Sequence, residues 1–135
     1  MQTFPINYVA VLVASLIKGL IGWLWFSPLA FLRQWQAETG ITQDQMKRTI
    51  GRGMAVTLIG NFLMAWVLLH AIHYAGAVGA GQAAAVAFFN WLGFVLVILL
   101  FTWAAEQRSG KLTALKAANE LVGMIVMGII LNTWT

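Results

Sequence analysis

The sequence predicts an all-α integral membrane protein, a four-helix bundle with a short interfacial helix in the first cytoplasmic loop. Of its 135 residues, 61% are hydrophobic and 9% are charged, whereas soluble domains carry roughly 25% charged residues. Four apolar stretches have about the 20 residues that a helix needs to cross a bilayer. Backbone groups in lipid must be hydrogen-bonded within their own segment, which favours helices. We therefore expect a single transmembrane domain.

The first predicted span covers residues 7–26 and carries Lys18 near its middle. Residues 1–6 contain no Lys or Arg, so we expect a retained span rather than a cleaved signal peptide. Pro28 lacks an N–H and disfavours helix for the residue before it, which lets the chain turn into the membrane interface. The interface motif at this exit consists of Trp25, Phe26, Ser27 and Pro28.

The connection after the first span has structure of its own. Residues 29–38, LAFLRQWQAE, place their apolar side chains near one face, a pattern typical of a short helix lying in the membrane interface. Gly40 is predicted to break this helix. Thr42 and Gln45 have the spacing of a capping box, so the second helix should start there. It then enters lipid as the span over residues 53–73.

The remaining spans are predicted over residues 84–104 and 112–134, and charge predicts their orientation. Seven of the eight basic side chains lie in two connections, 28–52 and 106–116. They are Arg33, Lys47, Arg48, Arg52, Arg108, Lys111 and Lys116. The positive-inside rule assigns these connections to the cytoplasm. We therefore expect a multi-pass protein of the inner (cytoplasmic) membrane with both termini outside.

Three polar residues fall at one predicted depth. Lys18, Asn61 and Glu120 each lie eight residues from the cytoplasmic end of their span, about 12 Å along a helix. A lone charge there would cost at least about 2.5–3.5 kcal/mol, so Lys18 and Glu120 are expected to pair. Two interpretations stay open. The layer is either a structural clasp that fixes helix register, or part of a pathway for a proton, ion or polar solute.

A second polar layer is predicted near the outer helix ends. It consists of Asn7, His70, His73, Asn90 and Asn132. His70 and His73 share a helix face, but no Asp, Glu or Cys on that side completes a metal site. Interfacial hydrogen bonding is the alternative that we favour. The chain has no cysteine, which excludes thiolate ligands and disulfides, and we expect neither metal nor cofactor.

Several motifs resemble a known family. They are Asn7-Tyr8, the G-x-x-W-F-S-P-L-x-F run over residues 22–31, Trp91-Leu92-Gly93-Phe94, and Met127-Gly128 before Trp134. Together they resemble small bacterial membrane proteins of domain-of-unknown-function family 1761. The resemblance implies four helices and an inner-membrane location, and it supplies no activity or catalytic residue. Lys18 and Glu120 lie outside the pattern that carries it.

Two functional hypotheses follow. The first is a small homo-oligomeric permeation protein for a proton, ion or small polar solute, because a charged layer is predicted at depth. The alternative is a non-transporting module that assembles in the membrane with itself or with another protein. We do not expect an enzyme, since the sequence has no Ser-His-Asp set, paired carboxylates or cofactor fingerprint. Nucleic acid is not an expected partner, because the basic residues flank apolar spans.

Overall fold

The structure, a computed structural model, describes residues 4–134, and every regular element within them is helical. The five helices are α1 (Tyr8–Trp25), α2 (Leu32–Thr39), α3 (Gln43–Tyr74), α4 (Gly79–Ala105) and α5 (Gly110–Trp134). All except α2 are long and apolar enough to cross a membrane, which confirms the predicted all-helical chain with four candidate spans. The predicted outside location of the termini concerns residues 1–3 and 135, which lie outside the described residues.

Helix α1 begins at a side-chain cap and ends at a turn built on Ser27. The Asn7 Oδ1 accepts a hydrogen bond from the Ala10 N–H at 3.2 Å. At the other end the Ser27 Oγ donates to the Leu24 carbonyl at 2.7 Å, and the Ser27 carbonyl accepts from the Leu32 N–H at 3.1 Å. This turn occupies the residues after Pro28. The interfacial helix predicted over 29–38 therefore begins three residues later than expected.

The boundary between α2 and α3 follows the predicted local signals. Gly40 ends α2 with a φ of +70°, a left-handed conformation that glycine adopts without a steric penalty. The Gln45 N–H donates to Thr42 Oγ1 at 3.3 Å, and the Thr42 N–H donates to Gln45 Oε1 at 2.9 Å. The predicted capping box is thus confirmed. With 32 residues, α3 is about 48 Å long and exceeds the roughly 30 Å hydrocarbon core.

Helix α5 lies at the centre of the bundle. Helices α1 and α4 pack along it, and α3 packs mainly on α1. A Cβ added at Gly128 would lie 3.1 Å from the Ala83 carbonyl oxygen and 3.3 Å from the Ala87 Cβ. Small residues on both helices therefore allow α4 and α5 to approach closely.

The two ends of the bundle are packed differently. We call the end that carries the basic connections the basic end, and the other the opposite end. Most of the buried core lies towards the opposite end. Its members include Ala10, Val11, Ala14, Ala65, Leu68, Leu69, Ala83, Met127 and Leu131. Towards the basic end the second half of α4, Val97–Ala105, packs on α5, whereas α3 packs on the first half, Gly79–Asn90. Helices α3 and α4 consequently diverge towards the basic end.

Candidate functional site

The structure brings the three residues of the predicted buried layer into contact. The Lys18 Nζ of α1 donates a hydrogen bond to Asn61 Oδ1 of α3 at 2.9 Å. The same Nζ lies 3.0 Å from Glu120 Oε2 of α5. Lys18 is 6% exposed and Glu120 28% exposed. One ammonium group thus joins three of the four candidate spanning helices.

The two partners hold Lys18 in different ways. Asn61 accepts a well-aligned hydrogen bond, whereas Glu120 Oε2 is buried and has no partner of hydrogen-bond geometry among the described residues. The Lys18–Glu120 contact is therefore an ion pair without hydrogen-bond geometry. The rest of the Glu120 side chain is partly accessible, whereas Lys18 is buried.

A glycine makes room for the lysine stem. A Cβ added at Gly123 of α5 would lie 2.8 Å from Lys18 Cγ and 3.2 Å from Lys18 Cε. Real Cβ atoms do not approach other heavy atoms so closely, so the buried stem of Lys18 depends on the missing side chain. Gly123 is not among the site residues predicted from the sequence. Its spacing of three residues from Glu120 places both on one helix face, a signal that could have found it.

A cavity of about 1050 Å³ reaches this ion pair. All four candidate spanning helices line it, together with Trp35 of α2. Its size lies just above the roughly 300–1,000 Å³ usual for ligand pockets. The polar side chains that line it are Lys18, Thr57, Asn61, Lys116, Asn119 and Glu120. Most of the other lining residues are apolar or aromatic.

Two of these polar residues, Lys116 and Asn119, were not assigned to the site from the sequence. Together with Glu120 they have the i, i+3, i+4 spacing that puts three side chains on one face of α5. Lys116 was counted with the basic connection because it lies near the start of the fourth span. The spacing to Glu120 is the signal that could have assigned it to the site.

The α4 wall of the cavity contains a π-helical segment, Trp91–Leu96. Such segments are rare and are frequent at functional sites. The buried Trp91 donates from Nε1 to the Ala117 carbonyl at 2.9 Å, which ties α4 to α5. Phe94 and Val95 from the same segment line the cavity. The segment thus anchors α4 on one side and shapes the cavity on the other.

The interface motif lies at the basic end of the cavity. Phe26 lines it, and its ring centroid is 6.5 Å from that of Trp35 on α2. Trp25 instead faces Phe31, with ring centroids 5.1 Å apart. Ser27 is buried in the turn and Pro28 is exposed. The motif therefore sets the path of the chain, and one of its residues contributes to the cavity wall.

The predicted outer histidines pack against an aromatic ring at the opposite end. His73 stacks on Phe4 with ring centroids 3.7 Å apart, and His70 meets the same ring edge-on at 5.1 Å. The His70 Nδ1 lies 2.7 Å from the Trp66 carbonyl oxygen. Among residues 4–134 no group of three His, Asp or Glu side chains could hold a metal ion. The absence of a metal site stays a prediction.

The outer asparagines do not form one cluster. Asn7 caps α1, and Asn132 lies in the last turn of α5. Asn90 lies in the middle of α4 rather than near its end, and its Nδ2 donates to the Val86 carbonyl at 2.8 Å. Asn7 and Asn90 satisfy nearby backbone groups, and none of the three belongs to the cavity wall.

Comparison with protein families gave a match over nearly the whole chain. The family described as "Protein of unknown function (DUF1761)" matches residues 9–132. The matched range contains the Lys18 cluster, the π-helical segment and the interface motif. Comparisons with curated proteins and with solved structures gave no match.

Proposed function

Because the chain belongs to the DUF1761 family, whose function is unknown, we propose from the site alone that it is a small homo-oligomeric permeation protein. It resides in a bacterial inner membrane with both termini outside, and it passes a proton, an ion or a small polar solute. This orientation places the basic end of the bundle in the cytoplasm.

One observation carries the proposal: the cavity reaches the Lys18–Glu120 pair, and most of its lining residues lie between this pair and the basic end. Beyond the pair, towards the opposite end, Val11 and Met127 are fully buried within the apolar core. A charged pair costs free energy at this depth, and a cavity that exposes it adds no packing. Both features are explained if a solute travels to the pair and exchanges with one of its members.

The one-sided shape indicates how such a protein would work. Secondary transporters bind their solute near the middle of the bilayer and open to one side at a time. In this proposal the structure is the form accessible from the basic end, with the opposite end closed by the buried core. Ligands shift the balance between two such forms when they bind one of them better.

The test is flux into liposomes that contain the purified protein. The panel comprises protons, monovalent ions and small organic acids and bases. Lys18→Met combined with Glu120→Gln removes both charges without leaving either unpaired. Lys111→Gln removes a charge of the same helix outside the cavity and serves as the matched control.

We expect the wild type and Lys111→Gln to move at least one solute. The folded double variant, Lys18→Met with Glu120→Gln, should lose that flux. It is abandoned if no solute of the panel moves through the wild type. It is abandoned equally if the double variant carries the same flux as the wild type.

A non-transporting assembly module is the second candidate, and one observation favours it. In α4, 11% of the most apolar window is buried, against 28% to 39% in the other three spanning helices. Lipid or another protein chain must cover this surface. A defined oligomer that moves nothing in the flux assay would favour the assembly module over permeation.

A further inference from the structure

The cavity has a distribution of charge and apolar surface that selects among solutes. Lys18 and Lys116 are its cationic members and Glu120 its anionic one, which leaves one net positive charge. Glu120 forms an ion pair with Lys18. Among the described residues Lys116 has no acidic partner within ion-pair distance. The unbalanced charge of the cavity is therefore the Lys116 ammonium.

The cavity wall near Lys116 also contains the Asn119 amide. Asn119 is three residues from Lys116 on the same face of α5, and its side chain makes no hydrogen bond to the described residues. A Cβ at Gly22 of α1 would lie 3.8 Å from both polar atoms of the Asn119 amide. A cation and a free amide thus share one face of α5, where a carboxylate could accept from both.

The remaining wall of the cavity suits an apolar group. Met54 and Leu58 line it from α3, and Phe94 and Ile98 line it from α4. These four side chains are 46% to 74% exposed. Ligand pockets typically combine such apolar walls with a few polar groups that fix orientation.

We infer that the cavity takes an amphipathic organic anion with a single carboxylate head and a single apolar tail. The head lies between Lys116 and Asn119, next to the Lys18–Glu120 pair, and the tail lies between α3 and α4. The inference rests on the proposed function, since it names the class of solute that the permeation site accepts. One negative charge matches the one unbalanced positive charge of the cavity.

The experiment measures binding separately from flux. The protein is placed in nanodiscs of neutral lipid and titrated with a medium-chain brominated carboxylate, whose bromine quenches nearby tryptophan fluorescence. Trp23 and Trp35 line the cavity, so a bound probe quenches them saturably, and Trp35→Phe reduces that signal. A brominated alkylammonium of equal chain length tests whether the cavity requires a negative head group. An anionic phospholipid with two acyl chains tests whether it requires a single tail.

The expected results are saturable quenching by the carboxylate and at least about tenfold weaker binding of the ammonium probe. Lys116→Gln should weaken carboxylate binding about tenfold, because it removes one hydrogen bond to a charged group. Lys111→Gln on the same helix should leave it unchanged. Equal binding of both probes, equal effects of the two lysine variants, or preference for the phospholipid would overturn the inference.

The two proposals fail in different ways. If flux occurs for other solutes while the carboxylate neither binds nor moves, the amphipathic anion is wrong and permeation stands. If the carboxylate binds as described and nothing moves across the membrane, permeation is wrong and the cavity is a binding site.

Discussion

Gly123 and Lys18 lie so close together that a Cβ on the glycine would be 2.8 Å from Lys18 Cγ. The lysine stem occupies the volume that any other residue at position 123 would fill. Its ammonium group then reaches Asn61 and Glu120 at 2.9 and 3.0 Å. The ion pair therefore depends on a residue that carries no charge and makes no hydrogen bond with its side chain.

Gly123→Ala should lower the melting temperature of the purified protein. Lys18 Cγ is near the backbone and cannot swing away freely, so overpacking should cost about 1–3 kcal/mol. Gly51→Ala is the matched control, because nothing lies within 4 Å of a Cβ at that position. Equal melting temperatures for the two variants would show that the close approach has no energetic consequence.

Lys18 and Glu120 should be energetically coupled. Each single variant, Lys18→Met or Glu120→Gln, leaves an unpaired charge at depth. Breaking a fully buried pair costs roughly 3–5 kcal/mol, and we expect less here because Glu120 is 28% exposed. The double variant should lose less stability than the sum of the two single variants. A double-mutant cycle of melting measurements gives the coupling, and strict additivity would contradict it.

Trp91→Phe should destabilise the contact between α4 and α5. The substitution removes the buried hydrogen bond to the Ala117 carbonyl, a loss of about 0.5–1.5 kcal/mol. Trp134→Phe changes an exposed tryptophan at the end of α5 and should have little effect. Thermal unfolding in detergent compares the two variants, and equal stability would show that the Trp91 anchor is unimportant.

Ser27→Ala should destabilise the turn that ends α1. Its hydroxyl donates to the Leu24 carbonyl and accepts from the Leu29 N–H, and the side chain is buried. We expect a loss of about 1 kcal/mol. Thr49→Ala removes an exposed hydroxyl that also bonds to the backbone and should change little. A Ser27→Ala melting temperature equal to that of the wild type would contradict a structural role for this serine.

Orientation can be tested cleanly because the chain has no cysteine. Glu38→Cys lies in α2 near the basic end and Ala80→Cys near the start of α4, and both positions are exposed. A membrane-impermeant thiol reagent added to intact spheroplasts should label the cysteine at position 80 and leave that at 38 unlabelled. The reverse pattern would overturn the predicted orientation.

Much of this fold is encoded locally and could be predicted from the sequence. Hydropathy gives the four spans, and the break at Gly40 and the cap at Thr42 depend on neighbouring residues. Counting along helices also placed Lys18, Asn61 and Glu120 at one depth, because the rise per residue is constant.

The rest depends on how helices pack, which a single sequence does not encode locally. Lys18 needs the space that Gly123 leaves because α1 and α5 approach each other closely. The cavity exists because α4 diverges from α3 beyond the π-helical segment Trp91–Leu96, and hydrophobic periodicity does not signal either event. Lys116 was assigned to a connection because its charge was considered without its place on a helix face.

The most direct test of the central claim is flux through Thr57→Cys before and after modification with a charged thiol reagent. Thr57 lines the cavity on α3, so we predict that the attached group abolishes the flux of whichever solute the wild type carries. Thr49→Cys is exposed on the same helix outside the cavity, and its flux should survive modification. Unchanged flux after complete modification at position 57 would contradict a pathway through this cavity.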